Sequence, residues 1–187
     1  MTAMRFTETP IRGAFVIEPE PMVDERGSFS RLWCAREFAE HGLTAAFVQS
    51  NGSSSAREGT LRGLHYQIAP YGEVKLVRCT RGAVYDVVVD VRPESPTYLR
   101  WHGVELSAAN RRMMYVAEGL AHGFLALEDD CEVTYPASQF HRPDAERGIR
   151  WDDPLFAIDW PKTPSLHLSP KDRGWPDFVP ELARQQP

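Results

Sequence analysis

The sequence predicts an all-β protein, a sandwich or barrel of which the jelly roll is one form. Short runs with alternating apolar and polar residues recur at intervals of roughly 8–12 residues, which is typical of such folds. Turn-forming residues separate these runs, and the chain contains 15 prolines in 187 residues. Because proline interrupts helices and central strands, a chain this rich in it turns often.

The strands can be justified in order along the chain. The clearest covers residues 83–91, where Tyr85, Val87 and Val89 share one face while Asp86 and Asp90 lie on the other. A period of two in β-branched residues is a strong strand signal. The remaining predicted strands cover residues 15–18, 46–49, 61–67, 74–80, 103–106, 113–116 and 131–135, with turns at 81–82, 93–96, 118–119, 128–130 and 152–154.

One helix and one extended tail complete the prediction. Residues 34–41 read as a short helix that ends at Gly42, a favourable residue after a helix. Beyond about residue 160 the chain is proline-rich and weakly periodic, which predicts a tail that wraps the barrel. We expect a single domain over 1–187, with its core at about 45–160, an N-terminal segment at about 10–33 and the tail at 161–187.

Composition excludes several classes of function. Lys and Arg number 21 against 26 Asp and Glu, and a net charge of −5 argues against nucleic acid as a partner. No apolar run approaches the length of a membrane span, and the N-terminus has no secretory signal. Cys34, Cys79 and Cys131 form no paired motif, so we expect free thiols and a cytoplasmic location.

Polar residues inside predicted strands mark the candidate site. In the run 61–67, alternation places Gly63, His65 and Gln67 on one face, which is too polar for a dry core. His122 lies between small residues after a turn, and Lys75 alternates with apolar neighbours. Small barrels bind ligands at their mouths, where these groups are expected to converge.

Other chemistries lack their signatures. His65 is not followed by a second histidine two residues later, so the usual metal pattern of a jelly-roll enzyme is missing and no metal is expected. The chain contains no nucleophilic-serine, dinucleotide-binding or P-loop motif. The remaining interpretation is acid–base catalysis without a cofactor, with a histidine base, a carboxylate that orients it, a tyrosine acid and cations for an anionic substrate.

The sequence also resembles a known family, the dTDP-4-dehydrorhamnose 3,5-epimerases, from about residue 12 to residue 172. No single motif is decisive, but so many in the same order form a specific signal. They are DERG at 24–27, FVQSN at 47–51, LRGLHYQ at 61–67, KLVR at 75–78, VDVR at 89–92 with SPT at 95–97, LSAAN at 106–110, AHGF at 121–124, IRWDDP at 149–154, IDWP at 158–161 and LSPKD at 168–172.

The resemblance implies a cupin-like jelly-roll homodimer with no metal or organic cofactor. It implies that His65 is the base, that Asp172 or alternatively Asp86 orients it, and that Tyr135 is the acid on the opposite face. Lys75 would stabilise the enolate oxygen. Further binding positions implied by the resemblance are Arg26 and Arg62 for a diphosphate, with His122, Gln49, Asn51, Phe29, Glu146 and Lys171 around the rest of the ligand.

The resemblance also implies an exchange of segments between subunits. The apolar run 15–18 has no obvious partner beside it in sequence, so we expect it to join the neighbouring subunit's sheet and carry Arg26 and Phe29 into its site.

Two positions depart from the family pattern in the expected pocket for the base of the nucleotide. Arg31 stands where the family has an acid, and His141 stands where it has a large aromatic residue. Since arginine donates hydrogen bonds where an acid accepts them, a nucleotide other than thymidine, such as a CDP-linked sugar, stays open. Also open are inversion at C3 only, at C5 only or at both, and a non-catalytic jelly roll that binds sugar nucleotides.

Overall fold

The structure is a computed structural model that describes residues 3–44 and 46–180, and two antiparallel sheets make up most of it. One sheet has six strands: β1 (Met4–Glu8), β2 (Ala14–Pro19), β5 (Gln49–Ser55), β7 (Lys75–Arg81), β10 (Met113–Val116) and β12 (Cys131–Ala137). The other has five: β6 (Leu61–Gln67), β8 (Ala83–Asp90), β9 (Trp101–Ser107), β11 (Leu120–Ala126) and β13 (Glu146–Gly148). The remaining elements are a hairpin of β3 (Met22–Asp24) and β4 (Gly27–Phe29), and the short helices α1 (Ala35–Glu40) and α2 (Pro170–Arg173).

The strand order shows how the chain builds a jelly roll. The six-stranded sheet runs β1-β2-β10-β7-β12-β5 and the five-stranded sheet runs β13-β6-β11-β8-β9. From β6 to β13 the chain crosses repeatedly between the sheets, so most strands that follow one another in sequence lie in different sheets. The predicted all-β jelly-roll class is confirmed. None of the helices in the described ranges is long and apolar enough to span a membrane.

The core lies between the two sheets and leaves room for a cavity at one end. Val77 and Val133 from the six-stranded sheet pack against Val84, Val88 and other buried residues of the five-stranded sheet. Helix α1 covers the outer face of the six-stranded sheet through Phe38. The outer face of the five-stranded sheet is covered by the later chain, where Phe156, Trp160 and Phe178 pack.

Some predicted strands match the structure and one does not. The runs 61–67 and 113–116 coincide with β6 and β10, and helix α1 lies within the predicted 34–41. The predicted strand 46–49 is wrong, because β5 begins only at Gln49 and continues through a Ser- and Gly-rich run to Ser55. This run lacks the apolar alternation of a strand, and it forms one because it pairs with β12 along the edge of the sheet.

The N-terminal strand has partners within its own chain. Strand β2 lies between β1 and β10, so the expectation that the run 15–18 lacks an intrachain partner is wrong. One partner, β1, directly precedes it in the chain, and the other, β10, follows about a hundred residues later, so no local pattern identified that second pairing. The β3–β4 hairpin beyond it projects with exposed apolar side chains, since Val23 and Phe29 are 75% and 69% exposed.

A buried carboxylate fastens the N-terminal segment to the barrel. Asp90 is fully buried at the end of β8 and accepts hydrogen bonds from Arg92, Ser95 and Thr97. Arg92 also donates to the backbone oxygen of Arg12, and the backbone N–H of Arg12 donates to Thr97. Burial alone would raise the pKa of Asp90, but these hydrogen bonds lower it below its ordinary value.

Candidate active site

A cavity of about 400 Å³ opens between the two sheets and collects the predicted catalytic groups. His65 on β6 and His122 on β11 belong to the five-stranded sheet, whereas Lys75 on β7 and Tyr135 on β12 belong to the six-stranded sheet. The two histidines therefore face the lysine and the tyrosine from opposite walls. Arg62 from β6 and both Lys171 and Asp172 from α2 complete the predicted residues that line it.

His65 is held by a carboxylate from the tail. Its Nε2 lies 2.6 Å from Oδ1 of Asp172, which is buried. Helix α2 presents this carboxylate because Ser169 caps its N-terminus by accepting from the backbone N–H of Asp172, and Pro170 begins the helix. Burial raises the pKa of Asp172, but the bonds from His65 and Ser169 outweigh it and lower that pKa below the ordinary value.

A second histidine–carboxylate pair lies beside the first. His122 Nε2 is 2.8 Å from Oδ2 of Asp86, and Asp86 is fully buried behind it. Burial raises the pKa of Asp86, although His122 opposes that shift. Of the two predicted partners for His65, Asp172 is therefore the one in contact, and the alternative of Asp86 is wrong because Asp86 on β8 bonds His122 across the β8–β11 ladder.

A close approach of two glycines shapes the wall that carries His65. A Cβ on Gly63, whose φ is +118°, would lie 2.5 Å from the Cα of Gly123, and the register between β6 and β11 shifts at this point. Simple alternation along 61–67 places Arg62 and His65 on opposite faces. That expectation is wrong, since both line the cavity across the irregularity at Gly63.

Tyr135 faces the histidines from a largely desolvated position. Burial raises the pKa of its phenol, with a smaller contribution from Glu73, and a hydrogen bond with Asn51 acts in the opposite direction. Asn51 lies directly opposite Tyr135 in the β5–β12 ladder. The phenol is therefore kept neutral at physiological pH, as a proton donor requires.

The charges in the cavity follow one pattern. Each of four basic groups on its wall bonds a carboxylate: His65 bonds Asp172, His122 bonds Asp86, Lys171 bonds Glu146, and Lys75 bonds Glu73. Arg62 differs, because within residues 3–44 and 46–180 it donates to the backbone oxygen of Ser54 and to the hydroxyl of Ser55 and to no carboxylate. Arg62 thus retains an uncompensated positive charge at the edge of the cavity.

Other predicted binding residues lie around the mouth. The side-chain amide of Gln49 lies 3.4 Å from Oδ1 of Asn51, and Gln49 accepts from the backbone N–H of His141 at 3.2 Å. Oε2 of Glu146 on β13 accepts a hydrogen bond from Nζ of Lys171 at 2.6 Å. Lys171 lines the cavity, whereas Gln49, Asn51, His141 and Glu146 are not among its lining residues and lie beside it.

The structure does not bring Arg26, Phe29 and Arg31 into the cavity of their own chain. Arg26 is paired with Asp24 in the exposed hairpin. Phe29 lies at the exposed end of β4. Arg31 is paired with Glu37 of helix α1 at 2.5 Å.

Sequence reasoning missed three residues of the site. Glu73 pairs with Lys75, Ser53 lines the cavity with a buried hydroxyl that has no hydrogen-bond partner in the described structure, and Ser169 positions Asp172. Glu73 lies just before β7 and outside the predicted strand 74–80, so strand alternation could not single it out. Within the described residues, no group of three or more His, Cys, Asp or Glu is placed to hold a metal ion.

Two facing antiparallel sheets with a polar cavity between them place the protein in the class of cupin-like jelly-roll proteins. The chain belongs to the dTDP-4-dehydrorhamnose 3,5-epimerase family, whose profile matches residues 8–179.

Individual relatives agree with this assignment. The dTDP-4-dehydrorhamnose 3,5-epimerase of Methanothermobacter thermautotrophicus is 49% identical over 94% of this chain and 95% of its own length. A dTDP-4-dehydrorhamnose 3-epimerase from Streptomyces niveus is 43% identical over 91% of this chain and 82% of its own. The crystal structure of the Bacillus anthracis 3,5-epimerase, with TDP and pyrophosphate bound, superposes with a TM-score of 0.90 at 41% identity, covering 94% of this chain and 100% of that one.

Proposed function

We propose that this protein is an epimerase that inverts C3, C5 or both in a dTDP-linked 4-keto-6-deoxyhexose. The observation that carries the proposal is the pair His65–Asp172 facing Tyr135 and Lys75 across one cavity. A base and an acid on opposite walls can remove a proton from one face of a carbon and return one to the other face. That geometry suits inversion of a centre next to a ketone.

The first step is removal of a proton from the carbon beside the 4-keto group. Asp172 bonds one ring nitrogen of His65, so the other nitrogen accepts the proton. The carboxylate also stabilises the imidazolium that forms. The electron pair of the broken C–H bond forms the C=C bond of an enolate, and the negative charge moves to the former ketone oxygen.

The second step returns a proton from the opposite wall. Lys75 stabilises the enolate oxygen, since its ammonium lines the cavity. Tyr135 then donates its phenolic proton to the carbon as the ketone reforms, and solvent restores the phenol while His65 loses its proton. No atom is oxidised or reduced, so the reaction requires no redox cofactor.

Residues at the edge and mouth of the cavity bind the nucleotide. Arg62 has no carboxylate partner in the described chain and suits a diphosphate oxygen. Lys171 and Glu146 extend this edge, and Gln49, Asn51 and His141 form the adjoining surface for the nucleoside. Ser53 offers its unpartnered hydroxyl to the sugar or the phosphate.

Incubation with dTDP-4-keto-6-deoxyglucose in D₂O tests the activity. Uptake of deuterium at C3, at C5 or at both identifies the reaction, and His65→Ala provides the inactive control. A protein that binds the nucleotide sugar without any uptake would contradict the proposal and favour a binding module. The 3-epimerase from Streptomyces niveus motivates reading the two positions separately, since its identity to this chain is similar to that of several 3,5-epimerases.

The proposed active form is a homodimer. The hairpin exposes Phe29 together with Arg26, whose side chain is 84% exposed. Neither residue reaches the cavity of its own chain, so each is available to a neighbouring subunit. Sedimentation at micromolar concentration should give a dimer, and Val23→Asp should weaken it. A monomer with full activity would refute this arrangement.

We further propose a cytoplasmic enzyme that needs no metal. Its three cysteines are free, as expected for a protein of the reducing cytosol. Both cavity histidines use a ring nitrogen to bond a carboxylate. The protein should keep its activity after treatment with a chelator, with elemental analysis showing that it is free of metal. Cell fractionation should recover the protein with cytosolic markers. Loss of activity that Fe or Zn restores would overturn the acid–base mechanism.

A further inference from the structure

The ion pair between Lys75 and Glu73 is buried in the wall of the cavity. The two side chains are 8% and 11% exposed, and Lys75 Nζ donates to Oε1 of Glu73. An ammonium group with so little access to water is costly unless a carboxylate compensates its charge. One of the three N–H donors of Lys75 is thereby committed, and the direction of that bond fixes where the other two point.

Glu73 also acts on the other functional group of the same wall. It is the largest charged contributor to the raised pKa of Tyr135, after the effect of burial. The backbones are connected as well, because Val74 exchanges hydrogen bonds with Ser138, three residues beyond Tyr135. One carboxylate therefore touches the lysine and electrostatically influences the tyrosine.

We propose that Glu73 is a positioning residue of this active site, which acts through Lys75 and Tyr135 without touching the substrate. Glu73 is not among the residues that line the cavity, whereas Lys75 and Tyr135 are. Its role is to aim the ammonium at the enolate oxygen and to keep the phenol in its proton-donating form. The kinetic part of this inference rests on the proposed function.

Several other charged groups also surround Tyr135. Arg62 lowers the pKa of its phenol and Glu146 raises it, both less than Glu73 does. The remaining titratable groups that line the cavity are His65 from β6, Lys75 from β7, His122 from β11, and Lys171 and Asp172 from α2. None of these groups is chemically altered when Glu73 alone is changed, so a shift in the Tyr135 midpoint reports the loss of the Glu73 charge together with any movement of Lys75 that follows it.

Glu73→Gln removes the charge and keeps an acceptor oxygen. Since a negative charge near a phenol favours its protonated form, the Tyr135 titration midpoint should fall to lower pH. We would measure it by ultraviolet titration as the difference between proteins with Tyr135 and with Tyr135→Phe, which uses no turnover. The basic limb of the kcat profile should move to lower pH with it.

Rate constants test the action through Lys75. Glu73→Gln should lower kcat by about tenfold with KM unchanged within about twofold, because a misdirected group costs rate more than binding. In the double variant with Lys75→Met, Glu73→Gln should cause no further loss of kcat, because the lysine through which Glu73 acts is absent. Glu73→Asp should restore the titration midpoint. Glu132→Gln is the matched control, because Glu132 bonds Thr80 within the β7–β12 pair and does not line the cavity.

Each readout can overturn the inference. An unchanged Tyr135 titration midpoint, an increased kcat, or losses of kcat that multiply in the double variant would mean that Glu73 only forms a structural ion pair with Lys75. If the wild-type protein takes up no deuterium, the proposed function fails, and the ultraviolet titration still decides the action of Glu73 on Tyr135. Thermal unfolding of each variant separates these effects from loss of fold.

Discussion

The Nε2 atom of His65 lies 2.6 Å from Oδ1 of Asp172, and this contact joins strand β6 to helix α2 across 107 residues of sequence. The strand supplies the base and the tail supplies its orientation. The carboxylate fixes the tautomer and orientation of the imidazole, which makes His65 a more effective base at neutral pH.

His65→Ala should lower kcat by roughly 10²–10⁴-fold, the usual contribution of a positioned base, while thermal unfolding stays near that of the wild type. The side chain is only partly buried, so its removal leaves a small cost in packing. Asp172→Asn should have a smaller effect in the same direction. His102→Gln, in strand β9 of the same sheet, is the control. If His65→Ala retained more than a tenth of the wild-type turnover, His65 would not be the base.

Tyr135→Phe should separate proton removal from inversion. His65 and Asp172 are untouched, so proton exchange at the carbon continues on the side of the base. Without the phenol, reprotonation from the opposite wall is lost, so deuterium should enter with retention and the rate of epimerisation should fall about 10²–10⁴-fold. Proton NMR in D₂O distinguishes the two outcomes. Normal inversion in this variant would mean that another group is the acid.

Much of this site could be predicted from the sequence, and the omissions have physical causes. His65 stands out because a polar residue interrupts an apolar strand, and family motifs identify Lys75, Tyr135 and Asp172. Alternation misplaced Arg62, since the close approach at Gly63 shifts the register of the strand. Strand pairings between distant segments, such as β2 with β10, leave no trace in local patterns.

The departures at Arg31 and His141 predict altered selection of the nucleotide base. Arg31 presents a donor where the family has an acceptor, and His141 offers a smaller stacking surface. We expect TDP to bind less than about tenfold more tightly than CDP, a gap below about 1.4 kcal/mol. Calorimetric titration of both diphosphates measures it.

Arg31→Gln should then shift the ratio of the two affinities, whereas Arg36→Gln on helix α1 should not. The ion pair with Glu37 competes with the nucleotide base for the Arg31 guanidinium. Preference for TDP by tenfold or more, unchanged in Arg31→Gln, would make Arg31 irrelevant to the base.

The buried carboxylate of Asp90 predicts a pH-dependent part of stability. Its pKa is lower in the folded protein than in the unfolded chain, so its contribution is present above an unfolded pKa of about 3.9 and is lost as the pH falls through the folded value. Asp90→Asn should cost about 1–3 kcal/mol at pH 7, because bonded donors lose a charged acceptor. Denaturant unfolding should show this difference shrinking below about pH 4. Asp159→Asn at an exposed site is the control, and a difference independent of pH would refute the assignment.

The position of α2 in the chain has a consequence for biosynthesis. Every strand of both sheets precedes this helix in the chain. All the strands are therefore synthesised before Asp172, whose carboxylate orients His65. Docking of α2 onto β6 can then be the last event of folding, with the barrel already assembled around an unoriented histidine. In a refolding experiment, the recovery of enzymatic activity should trail the recovery of the β-sheet signal in far-ultraviolet circular dichroism.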